Sequence, residues 1–207
     1  MKNKILAVIA VLSGLTYIIA DTAADSFPFA FAFKTFPIWF LCYLIFTNVK
    51  TAEGRLVGIG ILFGSGGDVA LALGHFIPGL VSFLIGHLFF IAAWLKRFQF
   101  KTDRAVMSAV VLIAAVILGV WLTPSLGEFA VPVYAYVGVI SIMSVFAFLR
   151  SRPSLIVPLG TVLFIISDAI IAVNKFHSPV PFAGIWIMIT YYAAQSMIAL
   201  GFIKEQD

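Results

Sequence analysis

The chain has 207 residues, of which 62% are hydrophobic and 11% are charged, and its mean hydropathy is +1.12. A composition this apolar excludes an ordinary water-soluble domain and indicates an integral membrane protein. The net charge of +4 comes from basic residues spread over several short loops. Because these residues form no patch interleaved with aromatic side chains, we expect no nucleic-acid partner.

Eight segments approach or reach the roughly 20 apolar residues that a membrane-spanning helix needs. In chain order they lie near residues 5–20, 29–47, 56–73, 79–95, 105–123, 130–149, 155–173 and 182–203. Proline, glycine and charged residues mark the turns between them. The sequence therefore predicts an all-α integral membrane protein, an eight-helix transmembrane bundle that forms one domain over residues 1–207.

The first segment has a second interpretation. Two lysines in the first four residues, an apolar run and the small residues around 20–24 together resemble a secretory signal peptide. Cleavage there would leave seven spans and would break the internal repeat described below. We therefore favour a membrane span for this segment.

Basic residues predict the orientation of the bundle, because lysine and arginine in short loops stay on the cytoplasmic side. Eleven of the 13 basic residues fall at one set of helix ends, and only Lys34 and Lys175 fall at the other. We expect both termini in the cytoplasm, which agrees with an even number of spans. In a bacterium the chain would lie in the cytoplasmic (inner) membrane, with membrane lipids around it.

Asp68 and Asp168 lie inside the third and seventh predicted spans, 100 residues apart. Similar residues surround them, over 67–76 and 167–176. An ionisable residue inside a span marks a functional site by default. The match also predicts that residues 1–100 and 101–207 are two parallel four-helix repeats, related by an axis along the membrane normal.

Helix geometry places both aspartates about five residues, or roughly 8 Å, inside the outer ends of their helices. Two turns further out, His75 is expected on the face of Asp68 and Lys175 on the face of Asp168. Gly64, one turn before Asp68, allows a neighbouring helix to approach closely. We therefore expect Asp68 to point into the bundle and away from lipid.

Other polar residues are expected at the same level: His87, Asn174, Lys34, and the i, i+4 pair Tyr191 and Gln195. Each has a structural alternative beside a functional one. His87, Tyr191 and Gln195 are equally suited to hydrogen bonds between helices. Lysines near a helix end often extend to the membrane surface. His75 is alternatively a simple loop residue.

Taken in order, several short motifs resemble the YhhN or lysoplasmalogenase-like family. They are Gly67-Asp68 with Leu73-Gly74, the run over 83–89, Ile166-Ser167-Asp168 with Asn174-Lys175-Phe176, and the run over 191–195. The resemblance covers essentially the whole chain. The family often has lysine followed directly by proline in span two, whereas here Lys34 and Pro37 are separated by two residues.

The resemblance implies a lysoplasmalogenase, an ether hydrolase that cleaves the vinyl ether bond of a lysophospholipid to a fatty aldehyde and a glycerophospho-head group. This reaction needs an acid and a group that stabilises a developing cation. Two carboxyl groups in one apolar pocket can divide these roles, so Asp68 and Asp168 are the predicted catalytic residues, with no cofactor. His87 is predicted to relay protons or orient an aspartate. The predicted substrate-binding residues are Lys34, His75, Asn174, Lys175, Tyr191 and Gln195.

Two other classes of function remain as alternatives. A metal-dependent lipid hydrolase would use histidines with the aspartates as zinc ligands, although no His-x-x-x-His cluster is present. A proton-coupled transporter or lipid-binding protein would also employ buried carboxyl groups. The apolar inner half of the predicted bundle argues against a pathway through the membrane.

Overall fold

The computed structural model describes residues 2–22, 30–151 and 154–206, with side chains over 9–19, 32–151 and 154–206. The described elements are all helices, apart from one isolated β-bridge between Phe98 and Arg150, which confirms the predicted all-α class. Its elements are α1 (Lys2–Thr22), α2 (Ala30–Asn48), α3 (Ala52–Ala72), α4 (Phe76–Leu95), α5 (Thr102–Leu126), a 3-10 turn (Gly127–Phe129), α6 (Ala130–Phe148), α7 (Ile156–Phe176) and α8 (Ala183–Lys204).

Helices α5 and α6 are joined without a gap by the 3-10 turn, so the described residues contain seven continuous helical stretches. Gly127 has φ +50°, a conformation that glycine tolerates, and there the chain folds back so that α5 and α6 pack along each other. The prediction of eight separate helices was therefore wrong here. The helix continues past Pro124, where the sequence suggested an end.

Five described stretches are long and apolar enough to cross a membrane, as expected of a multi-pass membrane protein. They are Ala52–Ala72, Phe76–Leu95, Thr102–Phe148, Ile156–Phe176 and Ala183–Lys204. The predicted number of spans, eight, is thus corrected to five for the described residues. In α1 the apolar stretch Ile9–Ile19 is shorter. The side chains of the cleavage region that the sequence suggested, 20–24, lie outside the described residues.

The helices pack in matched pairs. α1 packs on α2 as α5 packs on α6, and α3 packs on α4 as α7 packs on α8. Contacts of α4 with α6 are mirrored by contacts of α8 with α2. The aspartate-bearing helices α3 and α7 thus occupy equivalent places in two groups of helices.

Glycines allow α3 and α4 to approach closely. A Cβ atom on Gly86 would lie 2.8 Å from the carbonyl oxygen of Gly60, so a larger residue would push the two helices apart. This contact packs the middle of α4, which carries His87, closely against α3.

The connections α3–α4, α5–α6 and α7–α8 lie at one end of the bundle, which we call the His75 end. The opposite end, the Arg150 end, is closed by an ion pair between Arg150 and Glu205, with Arg150 stacked 4.5 Å over the Trp94 ring. Arg150 is one of the eleven basic residues that the sequence places at the cytoplasmic helix ends. It is 2% exposed, because its guanidinium group is enclosed by Trp94, Phe202 and Glu205.

Candidate active site

Asp68 forms a buried ion pair with a lysine of a neighbouring helix. The Lys34 Nζ atom of α2 lies 3.1 Å from Asp68 Oδ1 of α3, and the two residues are 8% and 3% exposed. The backbone oxygen of Lys34 accepts a hydrogen bond from the Tyr192 hydroxyl at 2.9 Å, which fixes α2 against α8. Lys34 is therefore bound to a carboxylate inside the bundle rather than extended to the membrane surface.

Two residues of α8 complete the surroundings of Asp68. The Tyr191 hydroxyl faces the Asp68 carboxylate and accepts a hydrogen bond from Gln195 Nε2 at 3.3 Å. Gly64 makes room for both, since a Cβ atom there would lie 3.0 Å from Gln195 Nε2 and 3.5 Å from the Tyr191 hydroxyl oxygen. Gly64 thus leaves room for two side chains of α8 beside the Asp68 face of α3.

Asp168 belongs to a second network, formed with α4 and α6. The Tyr136 hydroxyl donates a hydrogen bond to Asp168 Oδ2, and His87 Nε2 lies 3.0 Å from the same hydroxyl. His87 and Tyr136 are 1% and 6% exposed. Asp168 has no lysine or arginine partner among the described residues, which distinguishes it from Asp68.

The two networks are adjacent. Phe164 separates them. Its ring centroid lies 4.9 Å from that of His87 and 5.3 Å from that of Tyr191, edge-on in both cases. The two aspartates that the sequence predicted in one pocket therefore belong to neighbouring networks, with Asp68 in an ion pair and Asp168 bonded to a tyrosine.

A cavity of about 790 Å³, its open mouth included, lies between α4, α5, α6 and α7. It runs from Phe76 and Phe176 at the His75 end to Ala115 near the middle of the bundle. Its wall is apolar except for three described side chains, which are Tyr136, Ser141 and Asp168. Asp68 does not line this cavity, so the two aspartates have different access to a molecule bound there.

Lys175 lies beside the cavity, inside a group of three phenylalanines of which Phe76 and Phe176 line the cavity. Its Nζ atom is 4.6 Å from the ring centroid of Phe76, 5.8 Å from that of Phe129 and 5.7 Å from that of Phe176. Such contacts between a cation and aromatic rings are favourable. They hold an exposed positive charge beside an apolar opening, an arrangement suited to a lipid with an anionic head group.

Two predicted site residues lie elsewhere. His75 is exposed at the start of α4, because Gly74, at φ +80°, ends α3 before the second turn that would have placed His75 on the Asp68 face. Asn174 is also exposed, and its Oδ1 accepts a hydrogen bond from the backbone N–H of Val180 at 2.9 Å. Asn174 thus supports the α7–α8 loop.

Tyr136 and Ser141 were not predicted as site residues from the sequence. Tyr136 lies in a predicted span, two residues after Tyr134. Its hydroxyl, a polar group inside an apolar span, was the feature that could have identified it as a site residue. The Ser141 Oγ atom is buried, lines the cavity and has no hydrogen-bond partner among the described residues. For the metal-dependent alternative, the described residues contain no group of three histidine, cysteine, aspartate or glutamate side chains placed to hold an ion.

A family model described as the YhhN family matches residues 29–202. The chain belongs to the YhhN family. Similar proteins include a human protein named lysoplasmalogenase TMEM86A, 32% identical over 160 residues, or 72% of this chain and 65% of that protein. A Mycobacterium tuberculosis protein named lysoplasmalogenase is 32% identical over 164 residues, or 75% of this chain and 63% of that protein.

A second human protein, named lysoplasmalogenase TMEM86B, is 29% identical over 181 residues, which is 86% of this chain and 76% of that protein. The chain spans a little under two thirds of the length of TMEM86A and of the mycobacterial relative. No solved structure matches the chain.

Proposed function

We propose that this YhhN protein is a lysoplasmalogenase, which hydrolyses the vinyl ether bond of a single-chain lysophospholipid. The observation that carries the proposal is Asp168, a carboxyl group in the wall of an otherwise apolar cavity. The names of the relatives supply the bond that is cleaved.

The chemistry requires protonation of carbon. A carboxylic acid gives its proton to the β-carbon of the vinyl ether, which leaves a carboxylate and an oxocarbenium ion. Water then adds to the α-carbon and returns one proton to the carboxylate, which forms a hemiacetal and restores the acid. Collapse of the hemiacetal breaks the bond between this carbon and the glycerol oxygen, and it releases the aldehyde while the hydroxyl proton passes to that oxygen.

We assign the acid to Asp168. This residue faces the cavity, and it has no cationic partner among the described residues. An apolar wall disfavours an unpaired carboxylate, so a neutral carboxylic acid is the form that suits this position before reaction. The Tyr136 hydroxyl bond to Oδ2 is compatible with both protonation states of the Asp168 carboxyl group.

We assign a different role to Asp68. Its ion pair with Lys34 holds a carboxylate and an ammonium group near the cavity, although neither side chain lines the cavity wall. The Asp68 charge acts on Asp168 through a medium of low dielectric constant, where charges interact over longer distances than in water. Asp68 thereby favours the cationic transition state, while Tyr191 and Gln195 fix its position.

The head group is bound at the mouth of the cavity. In this proposal the Lys175 ammonium group, which is held over the Phe76 ring, binds the phosphate group of the lipid at this opening. The alkenyl chain then runs inward along the apolar wall. This places the ether, which follows the glycerol group, at the depth of Asp168.

We further propose that α1–α4 and α5–α8 are parallel repeats, supported by the matched packing of their helices. The distribution of basic residues supports a cytoplasmic position for both termini. In a bacterium this topology belongs to the cytoplasmic membrane.

The test is an assay of purified protein with a lysoplasmalogen, in which fatty aldehyde and glycerophospho-head group are both measured. We expect the two products in equal amounts. The matched control substrate is the lysolipid with a saturated ether in place of the vinyl ether, which cannot be protonated on carbon and should not react. An absence of aldehyde from folded protein would reject the proposal, and uptake or flipping of the lipid in liposomes without product would favour a transporter.

A further inference from the structure

The Tyr136 hydroxyl joins three helices at Asp168. It belongs to α6, donates to Asp168 Oδ2 of α7 and lies 3.0 Å from His87 Nε2 of α4. His87 is packed against the rings of Phe90 and Phe164, and its Nδ1 atom has no hydrogen-bond partner among the described residues. Among the described residues, the imidazole ring of His87 therefore makes its polar contact with Tyr136.

The direction of each hydrogen bond follows from the number of protons. A tyrosine hydroxyl has one proton, and Tyr136 gives it to Asp168. The Tyr136 oxygen consequently accepts from His87, which must carry its proton on Nε2. The bare Nδ1 atom then faces apolar rings as an acceptor. His87 thus prevents the Tyr136 hydroxyl from turning away from Asp168.

This arrangement distinguishes the two oxygens of Asp168. Oδ2 accepts the Tyr136 hydroxyl, while Oδ1 makes no described hydrogen bond. When the carboxyl group is protonated, Oδ2 is occupied as an acceptor, so the proton belongs on Oδ1. That oxygen remains available to the cavity whose wall Asp168 forms.

We propose that Tyr136 and His87 are positioning residues for Asp168, which hold its carboxyl group so that the acidic proton stands on the oxygen that faces the substrate. This inference rests on the proposed function, because it assumes that Asp168 protonates the vinyl ether. Neither residue gives or takes the transferred proton. They act through Asp168.

The first test is Tyr136→Phe, which removes one oxygen and keeps the ring. We expect kcat to fall about 10- to 100-fold, the factor that corresponds to a hydrogen bond with a charged group, while KM changes less than threefold. The matched control is Tyr134→Phe on the same helix. Its hydroxyl bonds to Thr123 at 2.5 Å rather than to Asp168, so kcat should be unchanged.

The second test compares two changes at His87. In His87→Leu the Tyr136 oxygen loses its donor, and kcat should fall about 2- to 10-fold, as for a neutral hydrogen bond. In His87→Gln a side-chain N–H donor is retained, and most of the activity should return. In the Tyr136→Phe background His87→Leu should have no further effect on kcat, because the hydroxyl that His87 orients is gone.

A merely structural role gives other results. Wild-type kcat in folded Tyr136→Phe, equal losses in His87→Leu and His87→Gln, or the same factor for His87→Leu with and without Tyr136 would each overturn the inference. If Tyr136→Phe does not fold, the comparison of the two His87 variants decides. Activity that is lost in Asp168→Asn but normal in Tyr136→Phe would reject the inference alone. Wild-type protein that releases no aldehyde would reject it together with the proposed function.

Discussion

Lys34 Nζ lies 3.1 Å from Asp68 Oδ1 in the interior of the helical bundle, and this ion pair distinguishes Asp68 from Asp168, which lies in a similar stretch of sequence. Asp168 has the Tyr136 hydroxyl where Asp68 has an ammonium group. The two aspartates thus have different partners, which suits them to the different roles that we propose, an acid for Asp168 and a fixed negative charge for Asp68.

The Lys34–Asp68 pair should contribute strongly to stability only while both charges are present. Removal of one partner leaves a buried charge uncompensated, so Lys34→Met should lower the free energy of unfolding by about 3–5 kcal/mol. The double variant Lys34→Met/Asp68→Asn should recover most of this loss without recovering aldehyde release. Thermal unfolding in detergent measures the first effect. Equal stability of the single and double variants would contradict a direct pairing.

Lys175 is expected to act on substrate binding. Lys175→Met keeps the apolar contacts with the three phenylalanines but removes the charge, so KM should rise about tenfold, the effect of losing roughly 1.4 kcal/mol of binding, with little change in kcat. A 1-alkenylglycerol without phosphate serves as control, because its KM should be the same in both proteins. An equal rise for both substrates would show that Lys175 supports the fold rather than the phosphate.

The cavity wall should determine which chains are accepted. Gly119 lines the cavity, and a Cβ atom there would meet only Tyr134, at 3.9 Å, among its neighbours. Gly119→Leu should therefore fill part of the cavity and reduce kcat/KM for long alkenyl chains by about tenfold more than for short ones. Gly138→Leu is the matched control, since Gly138 is exposed and a Cβ atom there would have no described neighbour within 4 Å. A uniform change across chain lengths would place the chain elsewhere.

Arg150 should be important for stability and not for chemistry, because it lies at the opposite end of the bundle from Lys175. Arg150→Ala leaves Glu205 as a buried charge and removes the stacking on Trp94, so stability should fall by about 3 kcal/mol or more. Lys96→Ala, an exposed residue at the same end, should change stability by less than about 0.5 kcal/mol. Chemical unfolding of both variants in one detergent provides the comparison.

The helical class and the place of Lys175 on α7 could be predicted from periodicity, but Asp168 lies eight residues before the end of α7 rather than about five. Helix α7 continues unbroken to Phe176, so two turns beyond Asp168 do lead to Lys175 beside the cavity. The same argument failed for His75. Gly74 adopts a left-handed conformation and ends α3 first, and periodicity within a helix gives no information beyond its end.

Partners from other helices could not be predicted in the same way. Tyr136 resembles any aromatic residue in an apolar span until α6 and α7 are placed side by side. Likewise, nothing local to Lys34 shows that Asp68 of the next helix is its partner, because the register between helices depends on small residues such as Gly64 and on side-chain volume. The reversal at Gly127, by contrast, lies between the predicted spans near 105–123 and 130–149, although no gap in helical structure separates α5 from α6 there.

We propose that the cavity-facing carboxyl group of Asp168 protonates the lipid. The most direct measurement is the rate of aldehyde release from a lysoplasmalogen by purified Asp168→Asn protein, with Asp103→Asn, an exposed position in α5, as the matched control. We predict that Asp168→Asn loses about 10²- to 10⁴-fold in kcat, the usual contribution of a general acid, while Asp103→Asn is unaffected and both variants stay folded. A wild-type rate in Asp168→Asn would contradict the claim.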